Sequence, residues 1–283
     1  MAEISAAAVK TLRDQTGAGM MDCKRALGDA DGDAEKAIEL LRERGLAKAG
    51  KRAGRATSEG TVGMALDGGR AGLVELGCET DFVAKTDEFQ GAAVEIAQAV
   101  AASDSVSTVD DALGCALGGG SVEDQVGAIA SKVGENVVLK RVARIHVDTG
   151  TAGGYVHAGG KLGVVVGVAS GSGSDIDPGL AKDVAMHVAA TDPSPIAVDR
   201  GGVAADLVEK ERELLTRQAE QSGKPENVIE RIVDGRMGKF YQEFCLLEQA
   251  FVKDPDKSVG DLLPEGASVT GFVRFKVGEG DPE

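Results

Sequence analysis

The apolar positions divide the chain into a short helical segment and a longer part that mixes strands with helices. Within the first 47 residues, Ala8, Val9 and Leu12 recur at helical spacing, then Met20, Cys23, Ala26 and Leu27, then Ala34, Ala37, Ile38 and Leu41. That periodicity predicts three short helices. Ser5 and Asp33 are placed to cap the first and third, and Gly17 and Gly45 to stop them. A unit of this size is near the lower limit for independent folding and suits a docking module. Gly17, Ala18 and Gly19 turn the chain just before Met20 and Met21. Two adjacent methionines cannot both face one core on so short a helix. One is expected at the surface, where Met makes a soft, adaptable contact; partial burial of both against the neighbouring helix is the alternative.

From residue 60 the period changes to that of strands. Residues 61–66 and 71–76 read as strands about a turn at Asp67, Gly68 and Gly69. Phe89, Ala92, Ala93, Ile96 and Val100 mark a helix, and 103–120 is rich in Ser, Asp and Gly and reads mostly as loop. Val122, Val126, Ile129 and Val133 mark a second helix, stopped by Gly134. Residues 137–147 form a long strand interrupted by Lys140, Arg141 and Arg144. The same order then returns. Residues 154–157 and 162–169 are strand-like about Gly159 and Gly160, and Leu180, Val184, Met186, His187 and Val188 lie in a helix after Pro178. A short helix over 258–263 precedes a closing strand over 269–277. Gly68-Gly69-Arg70-Ala71-Gly72-Leu73-Val74 is echoed by Gly159-Gly160-Lys161-Leu162-Gly163-Val164-Val165. The pattern predicts an α+β fold class: two related subdomains, each a small antiparallel sheet backed by helices.

The second copy carries an extra element. Residues 204–221 form a polar helix with Leu207, Val208, Leu214 and Leu215 as its apolar positions. Gly223, Lys224 and Pro225 turn it, and Val228, Ile229 and Ile232 begin a return helix that reaches about Met237. A thin apolar seam between charged helices predicts an antiparallel helical hairpin over about 203–237, used either as a protein-contact arm or as a plain insertion. The segments are thus 1–47, a basic linker over 48–59 with Lys48, Lys51, Arg52 and Arg55, and core subdomains over 60–150 and 151–283.

Charge and chemistry narrow the function. The chain of 283 residues has a formal net charge of -15, which repels phosphate backbones and argues against nucleic-acid binding. The rival is RNA binding through 48–55 with Lys140, Arg141 and Arg144; a solvated helix or linker is the plainer reading of the basic run. The start of the chain lacks a secretory leader, and no apolar run nears the ~20 residues of a membrane span, so a cytosolic protein is expected. Cys23, Cys78, Cys115 and Cys245 are widely spaced, with no C-x-x-C pair and only 3 His. Neither a zinc site nor a disulfide framework is expected, and no cofactor. The sequence has no P-loop, G-x-G-x-x-G, H-E-x-x-H or G-x-S-x-G. His187 lies among apolar residues and is expected to be a hydrogen-bonded core histidine. A binding module is therefore favoured over an enzyme. Glu135 and Asn136, just after Gly134, are placed to cap or bridge.

The stretch 75–85 joins a strand to a helix and sets Asp81 beside Phe82 in a chain with only 7 Phe, 2 Tyr and no Trp. Two readings fit: an Asp N-cap beside a core Phe, or an aromatic wedge that a partner accepts as a buried anchor.

Residues 12–27 (LRDQTGAGMMDCKRAL) and 75–85, centred on Thr80-Asp81-Phe82-Val83, are similar to the two signatures of the bacterial elongation factor Ts family, the nucleotide-exchange partners of elongation factor Tu. Further matches are Gly134-Glu135-Asn136-Val137, Tyr155-Val156-His157 with Gly160-Lys161, Met186-His187-Val188-Ala189-Ala190 and Val233-Asp234-Gly235-Arg236-Met237, in order along almost the whole chain. The resemblance implies an N-terminal bundle like a ubiquitin-associated domain, a two-subdomain α+β core and a coiled-coil arm. It implies no covalent chemistry and no metal or cofactor of the chain's own. Its partner would be elongation factor Tu, GDP-bound or nucleotide-free. Thr80, Asp81, Phe82 and Val83 would lie at the region that displaces the partner's magnesium, Asp81 and Phe82 entering the G domain. Arg13, Met20 and Met21 would lie on the docking bundle. The second subdomain would grip another domain of the partner, and the arm allows pairing with a second copy. The family usually has Asn where Gly77 stands, which predicts a freer loop before Asp81. Many members carry a C-terminal helix after the closing strand that this sequence, which stops at Glu283, does not show, so a partner contact made by that helix is not assumed.

Overall fold

Ser5 accepts a hydrogen bond from the Ala8 N–H and opens α1 (Ala6–Thr16), which Gly17 closes in the left-handed region at φ 67°. α2 (Met20–Asp29) and α3 (Ala34–Arg52) follow, and the Asp33 carboxylate accepts from the N–H groups of Glu35 and Lys36. The computed structural model describes residues 4–52, 54–171, 176–221 and 225–280, without the side chains of 45–51. Val9, Leu12, Cys23, Ala26, Leu27 and Ala37 form the bundle's core, whereas Ala8, Ala34 and Met20 face outward. α3 does not stop at Gly45. A helical glycine costs only about 1 kcal/mol, and the far end of α3 is anchored, because Arg52 Nη1 donates to the carbonyls of Ala130 (2.6 Å) and Glu135 (3.1 Å). The expected linker is therefore helical as far as Arg52.

The first core subdomain contains β1 (Glu59–Asp67), β2 (Arg70–Cys78), α4 (Asp81–Ala84), α5 (Asp87–Ala102), α6 (Val109–Leu113), β3 (Ala116–Leu117), β4 (Gly120–Ser121), α7 (Val122–Val133) and β5 (Val138–His146). The second contains β6 (Gly150–Val156), β7 (Leu162–Ser170), α8 (Pro178–Ala190), α9 (Ala205–Glu220), α10 (Glu226–Phe244), β8 (Ala250–Phe251), β9 (Asp254–Ser258) and β10 (Ala267–Lys276). Their antiparallel sheets run β1-β2-β5 and β6-β7-β10. In both, the second hairpin strand is central and the last strand adds beside it, so the repeat read from the sequence is a repeat of topology.

Phe89, Ile96 and Val100 of α5 pack on Val74 and Leu76, while Val184 and Val188 of α8 pack on Val164, Val166 and Val168. The other faces of the two sheets meet through Val62, Leu73, Ile145, Val165 and Phe275. The result is four layers, helix, sheet, sheet, helix. Close approach explains Gly63: a Cβ there would lie 2.1 Å from the Ala93 carbonyl oxygen.

Residues 103–120 are mostly loop and turn, with two short regular pieces inside: Thr108 and Asp111 form a reciprocal capping box that sustains α6, and β3 pairs with β4. Two expectations need correction. The helix expected over 258–263 is a strand end plus one 3-10 turn, Gly260–Leu262. Asp261 accepts from both the N–H and the hydroxyl of Ser258, which favours a turn there. In the arm, Leu215, Ala219, Val233, Met237 and Phe240 form the seam, while Leu207 and Leu214 are exposed, and α10 runs past Met237 to Phe244. Of the expected turn, Gly223 and Lys224 lie outside the described residues and Pro225 precedes α10.

His187 is fully buried, as its apolar setting predicts. The Val252 N–H donates to Nδ1 (3.2 Å), so Nε2 carries the proton and donates to Gln249 Oε1 (2.9 Å). Burial pushes the ring's pKa below its ordinary value, and the Gln249 contact offsets only part of that. The unfolded chain then binds a proton near pH 6.5 that the folded chain refuses, so stability falls as the pH is lowered. The contribution of His187 is complete above about pH 6.5 and is lost as pH drops through the lower folded value. Unfolding free energies from urea titrations between pH 7 and pH 5 should fall more steeply for the intact chain than for His187→Gln, by at most about 1.4 kcal/mol per pH unit. Equal slopes would contradict this.

Candidate partner-binding site

β2 delivers the chain to a four-residue helix whose N-cap is Thr80, not Asp81. The Thr80 Oγ1 accepts from the Val83 N–H at 3.5 Å. Asp81 thus occupies the first turn, where a carboxylate suits the positive end of a helix, and it pairs with Lys85 one turn on at 2.6 Å. The hydrogen bond from Lys85 holds the Asp81 carboxyl below the usual carboxylate range. It is ionised at neutral pH.

Phe82 is 81% exposed, so the core-Phe reading is wrong. Helical geometry explains why: Val83 and Ala84 turn toward the first subdomain's core, which leaves the preceding position pointing away. Met20 and Met21 are 58% and 63% exposed. The expected single surface methionine is therefore a pair, because Cys23, Ala26 and Leu27 already fill the inward face of α2. Arg13 is also exposed, on the last turn of α1. The structure thus presents Phe82, Met20, Met21 and Arg13 to solvent from two separate parts of the chain. The turn before α2 adjoins the core, since a Cβ on Gly17 would lie 3.4 Å from Lys132 Cδ of α7.

The connection into α4 is held firmly. Glu135 Oε2 accepts from the N–H groups of Glu79 and Thr80, both at 3.0 Å, and Oε1 accepts from the Thr80 hydroxyl at 2.6 Å. In return Glu79 Oε1 accepts from the Asn136 N–H at 2.6 Å and from Arg55 at 3.2 Å. The Asn136 bond, helped by Arg55, pulls the Glu79 pKa down. Gly77 does not loosen this segment, because it lies inside β2, paired with Gly60 and Val138. These roles of Glu79 and Glu135 were not legible as such. The available signal was the polar pair Glu135-Asn136 after Gly134, whose left-handed φ of 78° turns the chain out of α7 and toward β2.

Little here invites covalent chemistry. Cys78 is buried and its thiol is pushed up to about 11, by burial first and then by the nearby Glu135 charge. Among the described residues no group of three His, Cys, Asp or Glu could hold a metal ion, and no described helix is long and apolar enough to cross a membrane. Several cations of the rival RNA reading have internal partners. Arg52 holds main-chain carbonyls, Arg55 pairs with Glu79, Arg141 with Glu75 and Arg144 with Asp104.

Residues 79–279 match the family model described as "Elongation factor TS". The chain is 44% identical to the elongation factor Ts of Maricaulis maris (strain MCS10), over 99% of this chain and 94% of that one. It is 46% identical to that of Methylococcus capsulatus (98% and 93% covered) and 47% identical to that of Hydrogenovibrio crunogenus (98% and 92% covered). The α+β core with its topological repeat and this extent of similarity together place the chain: it belongs to the elongation factor Ts family.

Proposed function

We propose that the chain is a guanine-nucleotide exchange factor for elongation factor Tu that acts in the cytoplasm during translation elongation, without covalent chemistry. The observation that carries the reading is a rigidly held helix start that offers an aromatic and an ionised carboxylate to solvent in an otherwise Phe-poor chain. Arg13, Met20 and Met21 dock the α1–α3 bundle on the partner's G domain. The second subdomain holds another of its domains. Asp81 and Phe82 then enter near the magnesium and phosphate groups, with Thr80 and Val83 fixing their geometry. GDP is held by the partner's phosphate loop and by magnesium with its Ser/Thr ligand. A wedge that displaces those groups raises the free energy of the GDP complex, and incoming GTP expels the factor. The arm's exposed Leu207 and Leu214 leave room for pairing with a second copy. Direct contact with nucleic acid is disfavoured by the net charge of -15 and by the internally paired arginines.

Linkage supplies the test. GDP must weaken binding of the factor by the same ratio that the factor weakens GDP. Titration of the chain against elongation factor Tu should give tighter binding to the nucleotide-free form than to the GDP form, by about 5- to 150-fold. Equal affinity for the two forms would refute the exchange reading.

A further inference from the structure

α4 has four residues, too few to fix its own orientation, and its one side-chain cap is long at 3.5 Å. Its direction must come from outside. Val83 and Ala84 seat one side of it on the core, and three hydrogen bonds fix its start, all three ending on one carboxylate, that of Glu135. The same residue is gripped through its main chain, since its carbonyl accepts from Arg52 at the end of α3. A parallel link runs beside it: the Asn136 N–H donates to Glu79, and the Asn136 amide donates to the Arg55 carbonyl (2.9 Å). One short segment thus joins the last helix of the bundle to the first turn of α4.

We infer that Glu135 is a positioning residue for exchange: it touches no nucleotide, and it sets the direction in which α4 presents Phe82 relative to the bundle that docks. This rests on the exchange reading. Removing the carboxylate frees the two N–H groups and the Thr80 hydroxyl, and the start of α4 loosens while the core contacts of Val83 and Ala84 remain. Glutamine preserves much of the hold. Its carbonyl oxygen accepts both N–H groups and its amide donates to Thr80 Oγ1.

The test measures GDP release from elongation factor Tu against factor concentration for the intact chain, Glu135→Ala, Glu135→Gln, Phe82→Ala and the Glu135→Ala/Phe82→Ala double variant. Glu135→Ala should lower the maximal rate about 10-fold or more, with the half-saturating concentration within about threefold. Glu135→Gln should recover most of the rate. In the Phe82→Ala background, Glu135→Ala should cost clearly less than in the intact chain, because Phe82 is one of the two side chains, with Asp81, that α4 presents. Hydrogen exchange should speed up at the Glu79 and Thr80 amides and stay unchanged in α5. An intact maximal rate in Glu135→Ala, a full additional loss in the Phe82→Ala background, or deprotection that spreads through α5 would each overturn the positioning role. If the intact chain itself fails to accelerate release, the exchange reading falls, and this inference with it.

Discussion

Phe82→Ala is expected to cut the acceleration of GDP release about 30-fold, the equivalent of an anchor worth ~2 kcal/mol, and to leave folding stability unchanged. The two halves of that expectation have separate grounds. Phe82 is 81% exposed, so its truncation removes almost no buried area from the folded chain. A core Phe cut to Ala costs about 3–5 kcal/mol, and nothing of that size is available here. The bonds that hold α4 are made by Thr80, Glu79 and Glu135 and do not involve the ring. What the ring offers is apolar area kept free until a partner takes it, the usual character of an interface hot spot. Exchange rate and urea midpoint measured on the same preparation decide the matter. A lowered midpoint, or an unchanged rate, would contradict the assignment.

The largest effect on stability is expected at Arg141. Glu75 is only 1% exposed, between the two sheets, and its carboxylate is bonded by Arg141 Nε at 2.6 Å and by Nη2. Arg141 also donates to the Lys276 carbonyl (2.7 Å) and stacks 4.5 Å from the centre of the Phe275 ring, while Glu75 accepts from the Gly278 N–H. The pair therefore ties β2 and β5 of the first subdomain to the end of β10 in the second. Arg141→Met leaves a buried carboxylate without its counter-charge, a defect that costs about 3–5 kcal/mol. Desolvation of both charges means that the pair itself contributes far less than this. Most of the loss should therefore return in the Glu75→Gln/Arg141→Met double variant, where no charge is stranded. Urea unfolding of the single and double variants reads this directly. A single variant within about 1 kcal/mol of the intact chain, or no recovery in the double, would contradict a stranded-charge defect.

What could be read from the sequence follows a physical line. Local signals were enough for α1, α2, α5, α7 and α8, because each has an apolar face at helical spacing, and all of them but α2 have a side-chain N-cap. The topological repeat was legible because its glycine-rich hairpins recur with the same neighbours. Features set by distant contacts were not. Gly45 looks like a stop from its neighbours, yet α3 continues to an arginine that bonds residues 78 and 83 positions away. The junction at 75–85 announced itself through rare aromatics, but only the fold decides that Val83 and Ala84 take the inward side and Phe82 the outward one. The Glu135 hold spans 55 and 56 positions, and no local pattern encodes it.

The most direct measurement is the release of fluorescent GDP from elongation factor Tu, chased with excess unlabelled GTP, in the presence of a substoichiometric amount of the intact chain. The account predicts that release of the whole GDP pool accelerates, because each factor molecule is expelled by incoming nucleotide and acts again. Release at the spontaneous rate, with a chain that is folded by circular dichroism, would contradict it.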